Sequence, residues 1–100
     1  MPRYKIDVPP VIIAGMRAWN LLREVSLEFY LKLADTFENW STEPPEGEFI
    51  YTLHVNYSDS ECYEFRLRLT FSDDTFHLVQ CNCTEFVDGV IIRPLPLDDD

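Results

Sequence analysis

Cys62, Cys81 and Cys83, together with His54, His77, Arg66 and Glu64, are the residues of this 100-residue chain whose types suit chemistry. Thiolates attack and bind metals, histidine moves protons near neutral pH, and arginine holds anions. Pairing Val55 with Phe65 matches the apolar faces of two alternating stretches. It sets His54 opposite Arg66, and Thr52 opposite Arg68. Pairing Phe71 with Phe76 then sets Arg66 opposite Cys81, and Arg68 opposite Val79. His54, Arg66 and Cys81 would stand in one row across three strands spaced about 4.8 Å apart, with Glu64 between Asn56 and Cys83. That is the cast of a thiol nucleophile, and it defines one reading of the chain as a small Cys-dependent enzyme. A flat sheet face offers no pocket to exclude water, so no catalytic residue is assigned and the chain is not expected to be an enzyme.

Cys81-Asn82-Cys83 also puts two sulfurs on one strand face, shared with His54 and His77, with Cα atoms about 6.6 Å apart. A tetrahedral zinc site usually takes a close ligand pair from a turn and a second pair elsewhere. Neither is present, so no metal is expected. A Cys81–Cys83 disulfide is strained on an extended strand, and the count of three is odd, so free thiols are expected. The chain has only three glycines, no Gly-rich phosphate loop and no nucleophile elbow. No cofactor is expected.

The remaining chemistry is charge. Eighteen acids against eight Lys and Arg give a formal net charge of -10, while 46% of the residues are hydrophobic. From Asp35 to Glu64 there are eight acids and no Lys or Arg, and the chain closes on Asp98-Asp99-Asp100. A chain this acidic, without a basic stripe, is not expected to bind nucleic acid directly or to bind anionic membranes. Its natural counterpart is a protein with a basic surface. Glu43, Glu46, Glu48, Asp59, Glu61 and Glu64 are the residues expected at that contact.

The elements that must position these residues come in two blocks. Across residues 11–40, Ile12, Met16, Trp19, Leu22, Phe29, Leu33, Phe37 and Trp40 recur at three- and four-residue steps, which predicts a helix. Asp7 and Pro9-Pro10 suit its start. Ile13, Leu21, Leu27 and Leu31 widen the apolar stripe. Gly15 and Ser26 are weak points, and a break near Ser26 would give two helices. Residues 41–47, Ser-Thr-Glu-Pro-Pro-Glu-Gly, break the pattern.

After Glu48 the period becomes two. Phe49 to Tyr57, Tyr63 to Phe71, Phe76 to about Val87, and Val90 to Arg93 read as strands. Ser58-Asp59-Ser60-Glu61 and Ser72-Asp73-Asp74-Thr75 are turns by composition, and Asp88-Gly89 is a two-residue hairpin signal. Pro94 and Pro96 end the last strand. Tyr4 to Val8 adds a candidate edge strand. The expected fold is α+β: one long or broken N-terminal helix on a four-stranded antiparallel β-meander, with Phe49, Tyr51, Leu53, Val55, Phe65, Leu67 and Leu69 facing the helix. One domain over residues 1–97 and an acidic tail over 98–100 are expected.

Met1-Pro2-Arg3-Tyr4-Lys5 leads to no apolar run with a cleavage site, which reads as cytoplasmic. Three of the four asparagines, Asn39, Asn56 and Asn82, do sit in Asn-x-Ser/Thr sequons, acceptors only in a secreted eukaryotic chain. The functional expectation is a small acidic protein-binding module, an inhibitor that blocks a nucleic-acid-binding or nuclease-like surface as an anti-defence or immunity protein would. The competing class is a constitutive subunit or adaptor of a larger assembly, and a homo-oligomer is compatible with either.

Overall fold

The computed structural model describes residues 3–19 and 21–95, the last five by backbone alone. The acidic tail Asp98–Asp100 lies outside them. In chain order the elements are β1 (Lys5–Asp7), α1 (Pro10–Ala18), α2 (Arg23–Glu38), β2 (Phe49–Asn56), β3 (Glu61–Ser72), β4 (Thr75–Val87) and β5 (Val90–Leu95).

The helical block is two helices, and the interruption is at 19–22 rather than near Ser26. Pro10 opens α1 from an extended Pro9, and Trp19 caps its end. Leu22 is extended, with ψ of 145°, and α2 starts after it. The apolar stripe explains the position. Ile12 and Met16 are buried in α1, Val25 and Phe29 in α2. On one straight helix the two pairs would lie roughly 140° apart, and only a break resets the phase. Ser26 does not break the helix, because its N–H donates to the Leu22 carbonyl at 3.1 Å.

The sheet has five strands and is mixed, not a four-stranded antiparallel meander. β4 is central, with β3 and then β2 on one side. β1 pairs in parallel with the start of β4, Lys5 beside Thr75, and β5 pairs antiparallel with its end, Val90 beside Val87. Both lie on the same edge of β4, since β3 holds the other. β5 continues through Pro94, which stands beside Thr84. A proline without an N–H is tolerated there because β5 is an edge strand.

The core lies between the helices and one sheet face. Leu53, Val55, Phe65, Leu67 and Leu69 are buried as expected, and Phe49 and Tyr51 pack half-buried against them. Phe29 stacks on Phe65 with ring centroids 4.2 Å apart, and Trp19 leans on the same ring. A second aromatic group, centred on Phe76, joins Phe37, Trp40 and Phe71. Among the described residues no helix is long and apolar enough to cross a membrane.

The pairing differs from expectation in two places. Val55 stands beside Tyr63 and Leu53 beside Phe65, so His54 faces Glu64 and Thr52 faces Arg66. Phe71 pairs with Phe76 as expected, but the register shifts between Arg68 and Leu69. Leu69 pairs with Leu78 and Arg68 with Gln80, leaving Val79 as an extra residue. Such a bulge inverts the alternation of everything beyond it. Cys81 therefore stands beside Leu67 and Cys83 beside Phe65, both buried in the core.

Candidate functional site

The bulge dissolves the thiol row. Arg66 faces Asn82 instead of Cys81, and Glu64 lies between His54 and Thr84 instead of Asn56 and Cys83. His54 stays exposed on the outer face while Cys81 is 0% exposed on the inner one. Burial pushes the Cys81 thiol far up, and Cys83 beside it adds to the shift. A thiol held protonated in a core is neither nucleophile nor ligand. No disulfide joins Cys62, Cys81 or Cys83, and Cys62 is half-buried. Among the described residues no group of three or more His, Cys, Asp and Glu is placed to hold a metal.

The expected acidic residues divide between the two ends of the sheet. Glu43, Glu46 and Glu48 lead into β2; Asp59 and Glu61 lie beyond its other end, and Glu64 stands beside His54 close to that end. The length of β2 separates the groups by about 24 Å at ~3.4 Å per residue. At the first end the charge is mixed. Glu48 reaches Arg68 at 3.9 Å, and an adjoining cleft of about 360 Å³ holds Arg3 and Lys5 beside Glu38, Asp73 and Asp74.

The second end is built by two turns. In the β2–β3 turn, Ser58 Oγ accepts the N–H groups of Ser60 and Glu61 at 3.3 and 3.1 Å, and donates to Glu61 Oε1 at 3.3 Å. Serine in this position supplies the local bonds that a short turn lacks. The β4–β5 turn has Asp88 at φ 55° and Gly89 at φ 77°, as a type I′ hairpin requires. The Asp88 N–H donates to the Ser60 carbonyl at 2.7 Å, which ties the two turns together.

Between these turns and the outer sheet face lies an open cleft of about 580 Å³. Asp59, Glu61, Glu64 and Asp88 line it, with His54, Cys62 and Phe86, and among the described residues no Lys or Arg does. His54 Nε2 stands 3.3 Å from Glu64 Oε2. Burial first and Glu64 second raise the Cys62 thiol, so it too favours the neutral form. The cleft therefore offers carboxylates around a partly apolar floor, which suits a cationic group with an aliphatic stem. Asp88 is the member that reading the sequence missed as a site residue. It was legible only as a turn former, because its place in the cleft follows from pairing β3 with β4.

Comparison of the chain with models of known protein families, with curated proteins and with solved structures finds no match.

Proposed function

We propose that this chain is a small acidic protein-binding module that docks on a basic surface of a partner protein. In its most specific form the reading is an inhibitor: carboxylates occupy a partner's surface meant for phosphates, and no reaction is catalysed. The observation that carries the reading is the cleft between the turns at Ser58–Glu61 and Asp88–Gly89. Its four carboxylates come from three segments and have no Lys or Arg among the described lining residues to neutralise them. Convergent like charges cost folding energy that a cationic partner relieves, and they steer association through a field that salt weakens.

The test is capture of partners on the purified chain at low and high salt, followed by binding kinetics with the partner retained. Charge reversal of Asp59, Glu61 and Asp88 should slow association and leave the circular dichroism spectrum unchanged. An unchanged on-rate, in a complex insensitive to salt, would discard the reading.

One observation favours the subunit alternative. Leu27 and Leu31, one turn apart on α2, are 58% and 59% exposed. Such a pair suits burial by another chain. In that case Leu27→Glu with Leu31→Glu abolishes the complex, and charge reversal in the cleft leaves it intact.

A further inference from the structure

The free edge of β2 is the second unusual feature of the molecule, and it is independent of the acidic cleft. Among the described residues β2 ends the strand order, with β3 on one side and no strand on the other. Its segment Phe49–Tyr57 holds no charged residue, proline or glycine. A long, uncharged edge rich in aromatic and branched side chains is a template for pairing with another strand.

The unpaired backbone groups can be placed. Lys32 Nζ, from α2, donates to the His54 carbonyl at 2.9 Å. In an antiparallel ladder a residue's N–H and C=O point to the same side. His54 thus turns both groups outward, and so do Ile50, Thr52 and Asn56 at two-residue steps. Among the described residues the Lys32 ammonium forms no ion pair; its bond is to the strand.

We infer that Lys32 is a plug that keeps the β2 edge from pairing with the β2 edge of a second copy. The second copy is the fitting occupant because the strand segment is uncharged on both sides of such a seam, whereas elsewhere the net charge of -10 makes one copy repel another. The ends of the strand give a second guard. In a two-fold antiparallel pairing, the end of β2 that follows Glu46 and Glu48 meets the end that precedes Asp59 and Glu61 in the other copy. Acids then face acids, as gatekeeper charges flanking an apolar strand do. Lys32 guards the middle of the edge and the acids guard its ends.

The experiment is sedimentation velocity on wild type, Lys32→Met and Lys32→Arg. It is run at low salt and at about 1 M salt, where the Debye length is about 3 Å and the terminal acids are screened. Wild type and Lys32→Arg stay monomeric. Lys32→Met associates at high salt, with a weight-average mass rising toward about twice the monomer's. Adding Thr52→Pro, which removes one of the outward N–H groups that pairing needs and is tolerated on an edge strand, returns the variant to a monomer at either salt. A Lys32→Met chain that stays monomeric at high salt overturns the inference, and so does association that Thr52→Pro leaves in place. Lys32→Ala is the second variant, carrying the same expectation if Lys32→Met does not fold.

Discussion

Cys81 shows at the scale of one residue how the environment decides chemistry. Its neighbours across the strand are Leu67 and the residues of a closed core, so its thiol stays protonated. We predict that Ellman's reagent modifies only Cys62 in the folded protein, slowly because its thiol is also raised, and reaches all three thiols after unfolding. Cys81→Ser should cost about 1–3 kcal/mol in urea denaturation, since it buries a hydroxyl among apolar groups. The same thiol sets a pH dependence. The fold prefers the protonated form, so stability is complete below the unfolded value of 9.0 and falls as pH rises above it, where only the unfolded chain gives up the proton. Tyr30 and Tyr63, raised mainly by burial, act in the same direction above 10.0. The urea midpoint should therefore drop on the alkaline side, and less steeply in Cys81→Ala. An alkaline profile unchanged by that substitution would show that Cys81 is not its source.

At the scale of the element, the strand order follows from period and turns, but one residue of slip does not. The two αL positions at Asp88-Gly89 and the alternation of β2 and β3 are written in the chain, and the structure has them. The bulge at Val79 is written only faintly: the apolar positions pass from Phe76 and Leu78 to Val79, Cys81 and Cys83, but no Gly or Pro marks the change. That single residue moves Cys81 and Cys83 from the outer face to the core and turns an apparent nucleophile site into packing. The helix break was legible in the phase of the apolar stripe, and Ser26 distracted from it. Deleting Val79 should leave the downstream pairs in place, with Cys81 and Cys83 still unreactive in the folded state. Two newly reactive thiols would show that the extra residue, and not the pairing with Leu67 and Phe65, holds the cysteines on the inner face. The β3–β4 turn offers a gain. Asp73 and Asp74 both have positive φ, 52° and 58°, and are adjacent like charges. Asp74→Gly relieves both, and should add about 0.5–1 kcal/mol, raising the melting temperature by about 4–8 °C per kcal/mol in a domain of this size.

Charge is the property of the whole molecule that the sequence states most plainly and localises least. The count of -10 is in the composition, but the clustering that matters depends on which turns meet. Glu43, Glu46 and Glu48 looked equivalent to Asp59, Glu61 and Glu64 along the chain. In space Glu48 of the first group lies near Arg68, and the same end of the sheet carries Arg3 and Lys5 in a separate cleft, whereas the second group faces a cleft with no Lys or Arg among its described lining residues. The two ends should therefore respond differently to the same change in charge. Reversing Asp59, Glu61 and Asp88 removes the field at the cleft and should slow association with a basic partner at low salt by about tenfold or more, within the range that steering supplies. Reversing Glu43, Glu46 and Glu48 changes net charge by the same amount at the other end of the sheet, about 24 Å away and beyond the screening length of about 8 Å at physiological salt. Association should then be nearly unaffected at that salt. The stability of the unbound chain distinguishes local from global repulsion in the same pair of variants. If repulsion is focused at the cleft, the first reversal raises the urea midpoint more than the second. Equal effects of both reversals, on rate and on stability, would mean that the chain presents a diffuse negative field and that the cleft has no special part in it.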